Sequence, residues 1–327
     1  MSTIYTSELI DGDFVAFWQT DDNHITIYAP SKNYEKFQTF SLREWPRLRE
    51  LYETSTHPNP EEFKKYSDTI NAAWHFAGQR GVHIDRIKAK PSKQKPGKFH
   101  PRVWRGYFTE HNWFAPYIPI DPIAIYGKAH YESIVAASSL FSQFTDVFRF
   151  IEPAPSNLIA FGHKLRELLI LACTEIEACW RAVLFENGIE RTIYSTKDFI
   201  KLSEPLRLNT WSIRLKDYPE LGDRKPFESW HEKQPTKSLA WYDAYNAVKH
   251  NREKEFQRAT FDNVLNAMGA LHIMQAAQWG PQVFDRMHDN RFTPFFTLTL
   301  PKFETSDVYI PCLDGIEKYT PTPLFKP

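Results

Sequence analysis

Between Tyr242 and Arg252 the chain reads Tyr-Asp-Ala-Tyr-Asn-Ala-Val-Lys-His-Asn-Arg, which sets an amide, an imidazole and two strong cations within one short segment. Asn246 and His250 stand four residues apart. On a helix that spacing puts them on one face about one turn apart, with Asp243 on the same side and Trp241, Tyr245 and Val248 on the opposite side. An imidazole titrates near neutrality, so it can take a proton from a hydroxyl or return one to a leaving oxygen without a metal ion. If the group attacked is a phosphodiester, the transition state gathers negative charge on its phosphoryl oxygens, and a cation must offset it. Lys249 is roughly 100° around a regular helix from His250, and Arg252 roughly 160°, so Arg252 serves only if the chain bends after His250 or a second copy supplies it. The alternative is that Asn246 and His250 satisfy buried backbone groups between helices.

These residues need a helical frame, and the second half of the chain supplies one. Ile134, Ala137, Phe141, Phe144 and Phe148 repeat at helical spacing between Tyr126 and Phe150, and Pro153 and Pro155 then break the pattern. From Ser156 a stripe of Leu158, Phe161, Leu165, Leu168, Ala172, Ile176, Cys179 and Val183 predicts a long helix ended by Asn187-Gly188. Arg166, Glu167, Glu175, Glu177 and Arg181 form its other face, a solvated surface or, for Glu175 or Arg166, the lining of a site. Pro235 to Ser238 supply a breaker and cap for a helix from Trp241 to Lys249, and a last helix spans Thr260 to Trp279. His272 falls within its apolar pattern, as a hydrogen-bonded core histidine. A short strand is expected at Thr210 to Leu215 and a β-rich, proline-rich tail from Phe292.

The first part of the chain has a different texture. Phe14 to Gln19 and His24 to Tyr28 form a hairpin signal around Asp21-Asp22-Asn23. Ser41-Leu42-Arg43-Glu44 spells a capping box, predicting a helix from Ser41, and Pro60 to Ala77 predicts another, closed by Gly78 and Gly81. Lys88, Lys90, Lys93, Lys95 and Lys98 then lie in an acid-free, proline-bearing segment flanked by Arg86, Arg102 and Arg105, with Trp104, Tyr107 and Phe108 nearby. It reads either as a phosphate clamp with stacking aromatics or as a solvated loop. Pro116, Pro119 and Pro122 mark a linker.

Composition limits the classes available. Lys+Arg 40 against Asp+Glu 40 leaves no global field to recruit a polyanion, so any such binding is local. Aromatics make up 15% but are spread along the chain, as a core requires. Three cysteines form no framework, and Cys173 and Cys179 read as buried hydrophobes. Met1 to Phe14 lacks the basic start and apolar run of a secretory leader, and no apolar stretch approaches the roughly 20 residues of a membrane span, so a cytoplasmic protein is expected. The phosphate-loop, dinucleotide, nucleophile-elbow and zincin motifs are all missing, and no cofactor or metal is expected.

With the helices placed, Asn246-Ala247-Val248-Lys249-His250 resembles the motif of the HEPN superfamily (higher eukaryotes and prokaryotes nucleotide-binding domains): an arginine, a polar residue, three more residues and a histidine. The resemblance covers about Tyr126 to Trp279, and Tyr245 occupies the family's arginine position. It implies an antiparallel helical bundle that pairs as a homodimer and acts on RNA, as a metal-independent endoribonuclease of a prokaryotic toxin or antiviral system or as a non-cutting RNA-binding or protein-interaction module, with an antitoxin or other partner protein possible. His250 would be the acid/base, Asn246 would position the phosphate, Lys249 or Arg252 would replace the arginine, and Asp243, Tyr245 and Glu175 would support them. The expected fold is α+β: a mixed α/β region at 1–120 carrying the basic loop 86–105, a HEPN-like bundle at 121–290 and a β-rich tail at 291–327 packing back on the body.

Overall fold

The structure, a computed structural model, describes residues 2–32, 37–54, 60–107, 120–284, 296–312 and 318–325. The fold is α+β, with a sheet in the N-terminal part and a mostly helical remainder. Two compact units divide the chain, each built from three pieces. One comprises Met1–Phe99, Arg105–Ile120 and Lys302–Thr320; the other comprises His100–Trp104, Asp121–Pro301 and Pro321–Pro327.

The first unit is a five-stranded antiparallel sheet in the order β4-β3-β2-β1-β5. Its strands are β1 (Tyr5–Glu8), β2 (Phe14–Asp21), β3 (His24–Tyr28), β4 (Gln38–Ser41) and β5 (Lys90–Pro91), and a further short strand, β6, follows at Lys98–Phe99. The expected hairpin is present, with Phe17 opposite Ile27 and a register shift between Gln19 and Asp21. Alternation along β2 sends Val15 and Phe17 to one face and Phe14, Ala16 and Trp18 to the other. The first face packs on α1 (Trp45–Glu53), α2 (Pro60–Phe63) and α3 (Asp68–Gly78) through Trp45, Phe63, Ala73 and Phe76. The second face is covered by Tyr107, Val308 and Ile310. Burial on both faces explains why β2 reads as a continuous apolar run.

Two helix boundaries of the first unit differ from expectation. Ser41 does not cap a helix: it pairs with His24 as the last residue of β4, and α1 begins at Trp45, where Pro46 fits the first turn. The helix expected from Pro60 splits in two because Ser67 starts α3 afresh, its hydroxyl accepting the Ile70 amide. Buried Asn71 closes the gap, donating to the Phe63 carbonyl at 2.9 Å. Pro116, Pro119, Phe108 and Phe292 lie outside the described residues.

In the second unit α4 (Pro122–Tyr126) and α5 (Lys128–Val147) are divided at Gly127, whose φ of 46° suits glycine. Then come α6 (His163–Glu186), α7 (Thr196–Phe199), α8 (Ala240–His250), α9 (Arg252–Glu255) and α10 (Phe261–Trp279). Ser156 lies in a 3-10 turn rather than α6, which starts seven residues later after Gly162. The delay arises because Phe161 bridges to Thr260 and the Phe261 amide donates to the Ala160 carbonyl, which holds this stretch extended. Ser238 does not cap α8; its hydroxyl accepts the His231 amide instead. The expected strand is β7 (Ser212–Leu215), antiparallel to β8 (Phe296–Thr299).

Cross-contacts fix the helix directions. Tyr242 meets Glu177 and Val248 meets Arg166, so α8 runs antiparallel to α6. Ser133 meets Gln275 and Phe144 meets Phe261, so α5 and α10 are antiparallel. From Phe261 to Trp279, α10 is buried almost throughout, as a central helix must be. Cys173 and Cys179 are fully buried on α6, as small apolar side chains. Among the described residues no helix is long and apolar enough to cross a membrane.

Candidate functional site

On α8 the two faces expected from the sequence are the two observed. Trp241, Tyr242, Ala244, Tyr245 and Val248 are buried, while Lys249 and His250 are exposed and Asp243 and Asn246 half-buried. His250 is the last residue of the helix, and its ring has no hydrogen-bond partner or ion pair among the described residues. It does not serve the bundle interior. The Asn246 amide donates to the Tyr242 carbonyl of its own helix at 2.9 Å, so it ties no second helix either. The reading of both residues as buried polar links between helices therefore does not fit this geometry.

The chain does bend after His250. Asn251 has φ −140° and ψ 64°, which ends α8 and turns Arg252 into the first residue of α9. Arg252 is exposed and forms no ion pair among the described residues. Lys249 is held differently: its ammonium donates to the Tyr245 hydroxyl at 2.8 Å and lies 4.9 Å from that ring's centre. That hydrogen bond keeps the Lys249 pKa above its ordinary value, so the charge persists across the physiological range. Tyr245 is only 1% exposed, and burial, against the pull of Lys249, pushes its hydroxyl up. The buried, neutral Tyr245 phenol thus holds the Lys249 ammonium in place.

Two arginines from outside α8 bond to it, Arg258 in its first turn and Arg166 at its end. Arg258 donates from Nη2 to the Asp243 carboxylate at 2.6 Å, which places a guanidinium beside the face that carries Asn246 and His250. Nothing in the spacing singles out Arg258; only the bend at Asn251 brings it back. Arg166 of α6 donates from Nη2 to the Val248 carbonyl at 3.4 Å, covering an end group that α8 leaves free, and its Nε is buried without a partner. Behind them Tyr242 donates to Glu177 Oε1 at 2.7 Å. Burial first, and then the Glu177 carboxylate, raise the Tyr242 pKa far above the ordinary phenol range, so the hydroxyl remains a donor.

Glu175 does not join this group. It stands two residues, or roughly 200°, from Glu177 on α6, and its charge acts on Cys179, whose thiol is pushed up chiefly by burial. Cys179 faces Gln275 of α10 at 3.4 Å, away from α8.

Lys88, Lys90, Lys93 and Lys95 are exposed, and the segment that carries them is tied to the sheet unit. Lys90 and Pro91 form β5 at the sheet edge, and the Ser92 and Lys93 amides donate to the Ile4 and Ser306 carbonyls. Three ammonium groups face acids from other parts of the same unit: Lys88 meets Glu8 at 2.5 Å, Lys90 meets Glu304 at 2.7 Å and Lys93 meets Asp307 at 2.8 Å. Lys95 and Lys98 have no such partner among the described residues. Arg102 and Arg105 are turned inward. Arg102, at φ 53°, pairs with Glu186 and lies 4.8 Å from the Trp279 ring centre; Arg105 lies 5.0 Å from that of Phe303. Trp104 and Tyr107 are buried too, so neither offers a face to a base. An acid-free window of sequence says nothing of carboxylates that arrive from 200 residues away.

Among the described residues no three His, Cys, Asp or Glu side chains gather to hold a metal ion. No protein-family model, curated protein or solved structure matches the chain.

Proposed function

We propose that this chain is an RNA-acting protein of the HEPN kind, a metal-independent endoribonuclease whose reacting group is His250. The observation that carries this reading is the exposed, unpartnered imidazole at the end of α8, with Asn246 one turn before it on the same side and Lys249 and Arg252 on either side in sequence. His250 removes the proton of a ribose 2′-hydroxyl. The freed oxygen attacks the adjacent phosphorus, the bond to the 5′-oxygen breaks, and a 2′,3′-cyclic phosphate remains. Arg252 and Lys249 offset the charge that builds on the phosphoryl oxygens. In a homodimer the second copy's imidazole returns the proton to the 5′-leaving oxygen, since one group takes and another gives in such a step. Such an activity belongs with prokaryotic toxin and antiviral ribonucleases, and needs a restraining partner.

The test is incubation of single-stranded RNA with the protein in EDTA. Wild type should leave 2′,3′-cyclic ends, and His250→Ala should abolish cleavage while melting within about 0.5 kcal/mol of wild type, since an exposed side chain without bonds holds nothing in place. Equal survival of the RNA with both proteins rejects the enzyme. Binding without cleavage by wild type would instead support the non-cutting module.

A further inference from the structure

A second feature lies at the same end of α8. Phe161 immediately precedes α6 and is 46% exposed. Its ring stands edge-on to Phe256 at 5.8 Å between centres, and exposed His163 lies 4.7 Å from Phe256 on the other contact. The three rings form an aromatic group in which Phe161 and His163 are exposed and Phe256 is half-buried. Their backbone is fixed: Phe161 bridges to Thr260, the Phe261 amide donates to the Ala160 carbonyl at 2.7 Å, and Asn263 donates to the Arg258 carbonyl at 2.9 Å.

One contact places this group near the end of α8 that carries His250. Arg166, one turn into α6 from His163, reaches the Val248 carbonyl at the end of α8. Arg258, two residues after Phe256, is bonded to Asp243 in the first turn of α8, on the same face as His250 but toward the other end of the helix. Asp243 and His250 are seven residues apart, roughly 10 Å along the helix axis at 1.5 Å per residue, a span of one or two nucleotides. In the ten residues from 249 to 258 Lys249, Arg252, Lys254 and Arg258 stand against Glu253 and Glu255, with Arg258 paired to Glu255 and to Asp243.

We infer that Phe161, Phe256 and His163 form a stacking platform for an unpaired base next to the phosphate that His250 addresses, which makes single-stranded RNA the substrate class. Every base offers a flat face to such rings, so the platform tolerates any sequence, whereas a base held inside a duplex has no free face to give. The inference rests on the RNA-acting reading above.

The experiment measures binding of a 2′-O-methyl adenosine decamer, which this chemistry cannot cleave, beside its abasic counterpart and its duplex, at low salt. Expected is tight binding of the decamer alone, weakened about tenfold or more by Phe161→Ala and restored by Phe161→Trp. The abasic strand should bind equally weakly to all three proteins. Equal decamer binding by wild type and Phe161→Ala, with the Trp variant confirming a folded site, overturns the platform and leaves the RNA reading standing. Equal binding of duplex and single strand also overturns it. Failure of every oligonucleotide to bind overturns both, and points the aromatic surface to a protein partner.

Discussion

His272 shows how a single side chain can set a pH limit. It is fully buried in α10, its Nδ1 has no partner, and the rings of Phe141, Phe284 and Phe296 stand 4.7–5.7 Å from it. The hydrogen bond expected of a core histidine is missing at that nitrogen, and burial alone lowers the pKa to about 3. The unfolded chain takes up a proton near pH 6.5 and the folded chain does not, so stability is lost as pH falls from about 6.5 toward 3, by about 1.4 kcal/mol per unit. By pH 5 the loss is about 2 kcal/mol. His75, also lowered by burial, adds to the slope with the same sign. The His272→Leu variant should therefore lose less melting temperature than wild type between pH 7 and pH 5; identical curves would show that His272 does not report on folding.

At the level of elements, α8 is attached to α6 by side-chain hydrogen bonds near both of its ends. Tyr242 and Glu177 form the half-buried polar link between them, with Arg181 3.9 Å from the same carboxylate. Tyr242→Phe removes the donor and leaves the carboxylate poorly served, which should lower stability by about 1–2 kcal/mol in chemical denaturation. An unchanged midpoint would mean that water replaces the hydroxyl at no cost. Periodicity made α5, α6, α8 and α10 legible before any coordinates, because apolar residues at helical spacing must share a buried face. The two faces of α8 were legible for the same reason. Starts were not: Ser41, Ser156 and Ser238 look like caps, but strand pairing or tertiary hydrogen bonds claim each region first. The candidate residues Asn246, Lys249, His250 and Arg252 were legible because they are local in sequence. Arg166 and Arg258 reach α8 only through tertiary contacts, and the acids that neutralise Lys90 and Lys93 come from the far end of the chain.

Across the molecule, Asn187 gathers the three pieces of the helical unit. Fully buried at the end of α6, it donates to the Pro101 carbonyl at 2.7 Å and to the Val183 carbonyl at 2.8 Å. It also accepts the Leu324 amide at 3.1 Å on its side chain and the Phe325 amide at 3.2 Å on its backbone. Beside it Gly188, at φ 94°, admits the Phe325 carbonyl so closely that a Cβ would stand 2.8 Å from the oxygen. Asn187→Ala deprives both carbonyls and the Leu324 amide at once, and a loss of about 3 kcal/mol is expected. The check is thermal unfolding with limited proteolysis of the C-terminal segment. A segment that stays protected in a variant of normal stability would show that Asn187 is not the junction.

The sheet unit has the same construction, and its timing during biosynthesis follows from it. A ribosome delivers β1 to β5 early, yet Val308 and Ile310, which cover one face of the sheet, and Thr305, which meets Thr6, emerge only after every helix of the other unit has been made. Domains generally complete in the order they are synthesised; here the earliest strands wait with part of one apolar face uncovered until the last of their covering residues is made.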